Sequence, residues 1–327
     1  MKTLFELDSD DAEQYGNKAV VLGEICQMPG INVPRGIALS PTDTEDMLML
    51  PSPVVYRWAV RSSGISEDGA ASFAGQHLTV LNVPKERVWD AVERVRKSAR
   101  ASRGYAQAVG AKAEKGIGVI VQEMVEASLA GVLFTHNPNH SGDGILEYVR
   151  GVGEGLVGGT KKPVETLTVD VRQGIVQSKF KNKLKPLSDV LALGRTLMSV
   201  WDYPLDIEWA IDRNRGLWCL QARQLHSEVL AAAAAGTGIG RGTIIGRVSR
   251  NEHGQIRAGD ILVTRMTKPS MVGAMLKASA IVTEIGGLTC HAAIVARELG
   301  KPCIVGYKEA MWLRTGQIIE VNAGLGT

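Results

Sequence analysis

A histidine stands directly after a glycine-rich turn near the end of the sequence. Residues 280–291 read AIVTEIGGLTCH, and the apolar start of this run predicts a buried strand. Ala292, Val295, Ala296 and Leu299 then recur at helical spacing. His291 is therefore predicted in the first turn of a helix, where backbone N–H groups and the helix dipole favour an anion. It could carry a phosphoryl group on a ring nitrogen. From position alone, a capping or packing role is an equal alternative.

A second group of polar residues lies on a predicted hairpin. Two alternating strands, 205–212 and 217–223, flank the turn Arg213-Asn214-Arg215-Gly216. Closing a four-residue turn would place Asp212 opposite Leu217. One face would then carry Glu208 opposite Gln221, and Asp206 opposite Arg223. Oxygen ligands beside a guanidinium suit a Mg²⁺-bound polyphosphate. The alternative is an exposed hairpin face with a salt bridge.

The remaining candidates sit at the ends of predicted elements. A predicted strand at 58–60 is followed by Arg61 and then by small residues, hydroxyls and glycines up to Gln76, a composition that can cover phosphates. Lys18 follows Gly16 at the start of a short helical pattern, where a solvated lysine is the ordinary interpretation. Apolar strands are predicted over 117–125 and 130–135. An apolar stripe at Val88, Ala91, Val92 and Val95 predicts an amphipathic helix.

Length and composition limit the possible classes. A chain of 327 residues is expected to hold two domains, and its hydrophobic content of 45% is that of a globular protein. The net charge of +3 and the low aromatic content of 5% make nucleic acid an unlikely partner. The four cysteines form no CxxC pair, and no signal peptide or membrane span is predicted. A cytoplasmic location without membrane contact is expected.

Several of these stretches resemble one family. The string GGLTCHAAIVARELGKPCIVG is similar to the swivelling phosphohistidine domain of the dikinases, which include phosphoenolpyruvate synthase and pyruvate phosphate dikinase. RSSGISEDGAASFAGQ resembles the phosphate loop of the same enzymes. DIEW followed by QAR resembles their nucleotide and metal motif, and GVGEG resembles their Gly-Leu-Gly-Glu segment.

The resemblance implies an α/β (α+β) fold with two parts. An ATP-grasp-like ATP-binding domain would span 1–226, and a small-residue linker 227–236 would lead to a phosphohistidine domain at 237–327. Lys18 and Arg61 would contact ATP phosphates, and the backbone near Glu123 to Val125 would read the adenine. Thr289 would be a regulatory phosphorylation site. The implied nucleotide-binding set is Lys18, Arg61, Gln122, Glu123, Val125, Glu208, Gln221 and Arg223, with Glu208 and Gln221 as the Mg²⁺ ligands.

By this analogy, ATP would phosphorylate His291 with release of AMP and phosphate, and the phosphoryl group would pass to an acceptor. The family's pyruvate-binding barrel has no counterpart in the sequence, so we expect the acceptor to be a separate small molecule or protein. We expect no phosphoenolpyruvate from pyruvate with this chain. The alternative is a non-catalytic ATP-binding or regulatory protein, or a phosphocarrier, that keeps the fold.

Overall fold

A computed structural model gives the structure of the protein. It describes residues 1–52, 55–64, 78–101, 116–136, 144–153, 156, 163–177, 185–201, 203–224, 237–240, 242–250, 256–324 and 326. The helices are α1 Ala12–Tyr15, α2 Asn17–Cys26, α3 Val88–Ala101, α4 Lys185–Val200, α5 Val272–Lys277 and α6 His291–Glu298. The strands are β1 Lys2–Thr3, β2 Gly36–Leu39, β3 Arg57–Gly64, β4 Thr79–Pro84, β5 Ile117–Glu123, β6 Ala127–Phe134, β7 Gly144–Arg150, β8 Glu165–Asp170, β9 Ile175–Gln177, β10 Leu205–Asp212, β11 Leu217–Gln224, β12 Thr237–Ile239, β13 Thr243–Ser249, β14 Asp260–Thr264, β15 Ala280–Thr283, β16 Cys303–Val305 and β17 Ile318–Asn322.

The chain divides into two compact units. The first unit contains Met1–Ser128 and Ile207–Arg223, and the second contains Leu129–Asp206 and Gln224–Thr327. The domain bounds predicted from the sequence, 1–226 and 237–327, remain a prediction. The predicted linker 227–236 lies outside the described residues, as do the phosphate-loop residues 65–77.

The first unit is built on an antiparallel sheet with the strand order β1-β2-β5-β3-β4. Successive residues of β5 face opposite sides of this sheet. Val119 and Val121 pack toward α3, whereas Ile120 packs with α2. The apolar stripe predicted for α3 is buried as expected, and burial of each of its valines contributes roughly 1.5–3 kcal/mol. A helix therefore covers each face of the sheet.

The second unit contains two sheets. Strands β6, β7, β8 and β9 are consecutive antiparallel neighbours. The other sheet has the order β12-β16-β15-β14-β13-β17, and β13 to β16 pair in parallel. A shared core joins Phe134, Ile145 and Val149 of the first sheet to Leu288 and the α6 residue Ala293. This apolar cluster thus joins the two sheets of the second unit, and the predicted α/β class is confirmed.

The strand, glycine turn and helix predicted around His291 are all present. Strand β15 ends at Thr283, and α6 begins at His291. Gly286 takes a φ of +146°, a backbone conformation that side chains with a Cβ rarely adopt. Gly300, with a φ of +60°, ends the helix region before Pro302. The local sequence therefore places the histidine where the periodicity predicted it.

Candidate nucleotide and phosphoryl-transfer sites

Arg61 and Glu208 come together in the first unit. Arg61 lies on β3, and its guanidinium donates a hydrogen bond of 2.7 Å to the Leu220 carbonyl oxygen. The same guanidinium forms an ion pair with the Glu208 carboxylate. Both side chains are largely shielded, at 13% and 22% exposure, so the pair is screened less than a surface pair. The predicted phosphate-binding cation and the predicted metal-binding carboxylate are therefore neighbours.

The hairpin that carries Glu208 has the predicted strands but a different turn. The Asp212 N–H donates to the Gly216 carbonyl at 3.0 Å, and the Arg215 N–H donates to the Asp212 carbonyl at 3.1 Å. The backbone partner of Asp212 is thus Gly216, and the prediction that Leu217 stands opposite Asp212 is wrong. Arg215 takes a left-handed φ of +67°, which shortens the turn by one residue.

The Asp212 side chain stabilises this tighter turn. Its carboxylate accepts hydrogen bonds from the Trp218 indole at 2.8 Å and from the Gly216 N–H at 2.9 Å. The Trp218 hydrogen bond is the main reason that the pKa of Asp212 is lowered. The residue types alone could not predict this tighter turn, because its closure depends on hydrogen bonds that the Asp212 carboxylate accepts in place of backbone carbonyl groups.

Gln221 and Arg223 lie on β11, with Gln221 buried and Arg223 half-buried. Gln221 and Glu208 thus come from the neighbouring strands β11 and β10. The direct facing of Glu208 with Gln221, and of Asp206 with Arg223, was counted from the pair Asp212–Leu217, which the turn contradicts, so that derivation loses its support.

Lys18 is held close to the strand of Arg61. It lies in the first turn of α2, which begins after Gly16, and Gly16 has a φ of +81°. The Ala19 N–H donates to the Ser63 hydroxyl at 3.1 Å. A Cβ on Gly16 would lie only 2.4 Å from the Ser63 carbonyl oxygen. The start of α2 is therefore fixed against β3, two residues along from Arg61, where its dipole favours an anion.

The predicted adenine-reading segment lies at the end of β5. Gln122 is buried, and its amide donates to the Pro34 carbonyl at 3.4 Å. The Glu123 carboxylate pairs with Arg35 at 3.0 Å. The Val125 carbonyl accepts from the Ala127 N–H at 2.9 Å, so it is already engaged by a tight turn. The side chains of Gln122 and Glu123 fasten the segment to its neighbours, and their role toward adenine remains a prediction.

His291 is the first residue of α6 in the second unit and is only 3% exposed. Its Nδ1 shares a hydrogen bond of 2.7 Å with the hydroxyl of buried Thr267. Its Nε2 has no hydrogen-bond partner among the described residues. Burial lowers the pKa of His291 to about 4, so the imidazole is neutral near pH 7. A neutral ring with one nitrogen positioned and the other unbonded is suited to act as a nucleophile.

Thr289 is also buried, and its hydroxyl donates to the Glu147 carboxylate at 2.6 Å. Glu147 lies on β7. The predicted regulatory hydroxyl is thus engaged by an acidic residue that the sequence reasoning did not select.

Sequence reasoning missed three functional candidates: Glu147, Thr267 and Arg297. A signal existed for Glu147, because it is a carboxylate within the buried run Ile145-Leu146-Glu147, and lone buried carboxylates are rare. Thr267 carried no such signal. Arg297 is not among the apolar positions that predicted this helix, yet its guanidinium donates to the Leu288 carbonyl at 2.7 Å.

The chemistry of the residues fits the predicted Mg²⁺. A carboxylate from Glu208 and an amide oxygen from Gln221 are hard oxygen donors on neighbouring strands. Mg²⁺ is commonly held by one or two protein groups together with substrate phosphates and water. Across the described part of the chain, no cluster of three or more His, Cys, Asp or Glu residues forms an all-protein metal cage. The residues thus suit a metal that arrives with a nucleotide.

Two family models match the sequence. The model for the pyruvate phosphate dikinase AMP/ATP-binding domain matches residues 51–190. The model for the mobile domain of PEP-utilising enzymes matches residues 256–326. The nucleotide-binding part therefore precedes the mobile domain, as predicted. None of the described helices is long and apolar enough to cross a membrane.

Two phosphoenolpyruvate synthases are similar to this chain in sequence. The probable phosphoenolpyruvate synthase of Pyrococcus horikoshii is 32% identical over 381 residues, covering 97% of this chain and 46% of that protein. The phosphoenolpyruvate synthase of Pyrococcus furiosus is 34% identical, covering 82% of this chain and 40% of that protein. The chain spans about half the length of these relatives. Among solved structures, the ADP complex of N5-carboxyaminoimidazole ribonucleotide synthetase matches at 12% identity and a TM-score of 0.37, over 66% of this chain and 46% of that one.

Proposed function

The chain belongs to the phosphoenolpyruvate synthase and pyruvate phosphate dikinase family, and we propose that it is an ATP-dependent phosphotransferase that forms a phosphohistidine at His291. The observation that carries the proposal is the environment of the ring: a neutral imidazole at a helix start, with Nδ1 bonded to Thr267 and Nε2 unbonded among the described residues. Membership of a family of phosphotransferases supports the reaction class.

Thr267 sets the tautomer in this proposal. We assign the ring hydrogen to Nδ1, which donates to the Thr267 hydroxyl oxygen and leaves the lone pair on Nε2. That lone pair attacks the β-phosphorus of ATP. A nitrogen–phosphorus bond forms, the bond from that phosphorus to the oxygen bridging to the α-phosphate breaks, and AMP leaves with the electron pair. Water then releases the terminal group as inorganic phosphate, and one phosphoryl group stays on His291.

Binding of ATP is assigned to the first unit. Arg61 and Lys18 supply positive charge toward the phosphates, and Arg61 can do so with a bidentate guanidinium. Glu208 and Gln221 would hold Mg²⁺, which would neutralise phosphate charge when bound. In this proposal the ion pair between Arg61 and Glu208 would open on nucleotide binding, so that the carboxylate could hold Mg²⁺ and the guanidinium could bind the phosphates. Each of the two side chains would therefore have a group of opposite charge beside it both before and after the nucleotide binds.

The experiment uses ATP labelled in the β-phosphate. Wild-type protein is expected to acquire an acid-labile, base-stable label together with release of AMP, and His291→Ala is expected to acquire none. His136→Ala is the matched control, because His136 is a half-buried histidine outside the proposed sites, and it is expected to label like wild type. Label that persists in His291→Ala would end the proposal.

A second experiment addresses the acceptor. Candidate acceptors, pyruvate first, are added to the isolated phosphoprotein, and loss of label identifies the acceptor.

A further inference from the structure

Glu147 is a buried carboxylate whose two oxygens accept three hydrogen bonds from the residues that the structure describes. It is 1% exposed on β7. One oxygen accepts from the Thr166 hydroxyl at 2.9 Å and from the Leu288 N–H at 3.3 Å, and the other accepts from the Thr289 hydroxyl at 2.6 Å. A buried carboxylate is costly unless such donors satisfy it. Two of the three donors belong to the loop directly before His291, so the carboxylate is placed to hold that loop.

The same loop is also held by a half-buried cation. Arg297 on α6 donates to the Leu288 carbonyl at 2.7 Å and lies 5.8 Å from the centre of the Phe134 ring. The Leu288 residue is therefore fixed at its N–H by Glu147 and at its carbonyl by Arg297. Gly287 permits this close approach, because a Cβ there would lie 2.7 Å from a Glu147 oxygen.

We propose that Glu147 is a positioning residue that docks the loop Gly286–Thr289 on β7 and thereby keeps the reactive nitrogen of His291 covered. In the docked arrangement the Nε2 atom is buried. Opening the contact between Glu147 and Thr289 releases the loop and uncovers the ring. This proposal rests on the proposed function only in treating Nε2 of His291 as the reactive atom. The docking of the loop by Glu147 does not depend on that function.

The test measures how fast diethyl pyrocarbonate modifies His291, with peptide mass spectrometry to separate this histidine from the others. Glu147→Gln keeps the shape but removes the charge, and Thr289→Val keeps the shape but removes the donor. Each is expected to raise the modification rate roughly tenfold, because a hydrogen bond to a charged group shifts an equilibrium by about that much or more. The double variant is expected to add little further, because both changes open the same contact.

Glu165→Gln is the matched control. Glu165 is on the neighbouring strand β8, and its carboxylate accepts from the Tyr148 hydroxyl at 3.0 Å, with no described contact to the loop. It is expected to leave the rate unchanged. If Glu147→Gln fails to fold, Thr289→Val carries the test. A wild-type rate in a folded Thr289→Val protein would overturn the docking proposal even if His291 forms a phosphohistidine. Conversely, faster modification with no phosphohistidine in any variant would overturn the proposed function and leave the docking proposal standing.

Discussion

The Arg61 guanidinium and the Glu208 carboxylate form an ion pair within the first unit, between strands β3 and β10. The sequence predicts a different role for each residue: Arg61 contacts phosphates and Glu208 binds metal. Their pairing shows that the two charges offset each other in a partly shielded place, where a lone charge would be costly. A nucleotide with its metal would supply the same compensation to both.

Glu208→Gln is expected to slow phosphohistidine formation by at least about tenfold, because the amide keeps the shape but not the charge that would hold Mg²⁺. The free energy of unfolding should change by only about 1 kcal/mol, since Gln can still accept from Arg61. The measurement is the initial rate of labelling across a Mg²⁺ titration, beside urea unfolding.

Glu93→Gln is the control for the loss of an ion pair as such. Glu93 pairs with Arg96 on α3 at 3.1 Å, with side chains 38% and 15% exposed. It has no proposed role toward nucleotide, so its labelling rate and Mg²⁺ dependence should match wild type. Equal rates for Glu208→Gln and wild type at every Mg²⁺ concentration would remove Glu208 from the metal site.

The features that could be predicted from the sequence are those that depend on residues close together in the chain. The strand, glycines and helix around His291 were readable because glycine conformation and apolar spacing act over a few residues. Contacts between distant segments were not readable: Glu147 meets Thr289 across 142 residues, and Thr267 meets His291 across 24. The turn after Asp212 was mispredicted because a side-chain cap, rather than loop length, fixed its closure.

Protonation of His291 should couple to stability. Burial lowers its pKa from 6.5 to about 4, so the unfolded chain binds this proton between those pH values while the folded chain does not. The free energy of unfolding should therefore be fully maintained above pH 6.5 and fall as the pH drops toward 4. The contribution of this one group is at most roughly 3 kcal/mol.

The check is urea unfolding of wild type and His291→Gln at several pH values between about 7.5 and about 4.5. Glutamine does not titrate, and all other groups are shared. The stability of wild type relative to His291→Gln should thus decrease as the pH falls. Parallel stability curves would show that the ring titrates normally in the folded chain.

Gly16→Ala should destabilise the first unit and move Lys18. The new side chain would require a φ of +81° and would place its Cβ 2.4 Å from the Ser63 carbonyl oxygen. With its ψ of 156°, this backbone conformation is one that glycine alone commonly adopts and costs another residue about 1–3 kcal/mol, and the overlap raises the total to about 3 kcal/mol or more. Urea unfolding gives the stability, and ATP titration of the labelling rate gives the effect on Lys18.

Gly30→Ala separates the two contributions. Gly30 has nearly the same φ, +83°, but nothing lies within 4 Å of the position that a Cβ would take. It should lose only the backbone term of about 1–2 kcal/mol and keep the wild-type ATP dependence. Equal losses in the two variants would mean that the start of α2 is not fixed by its contact with Ser63.

A negative charge at Thr289 should increase the modification of His291 by diethyl pyrocarbonate but decrease its labelling from ATP. Thr289→Glu and Thr289→Val both lose the hydroxyl that donates to Glu147, so both should expose His291 to diethyl pyrocarbonate. Only the glutamate adds charge at the helix start, where it repels the polyphosphate and competes for the same positive end, as a phosphorylated threonine would. Labelling from ATP should therefore fall at least about tenfold in Thr289→Glu but not in Thr289→Val, where the ring is uncovered without added charge. Thr289→Ser, which keeps the donor, should behave like wild type in both assays. If Thr289→Val lost labelling as severely as Thr289→Glu, the added charge would not be the cause of the loss, and control by charge at this position would be wrong.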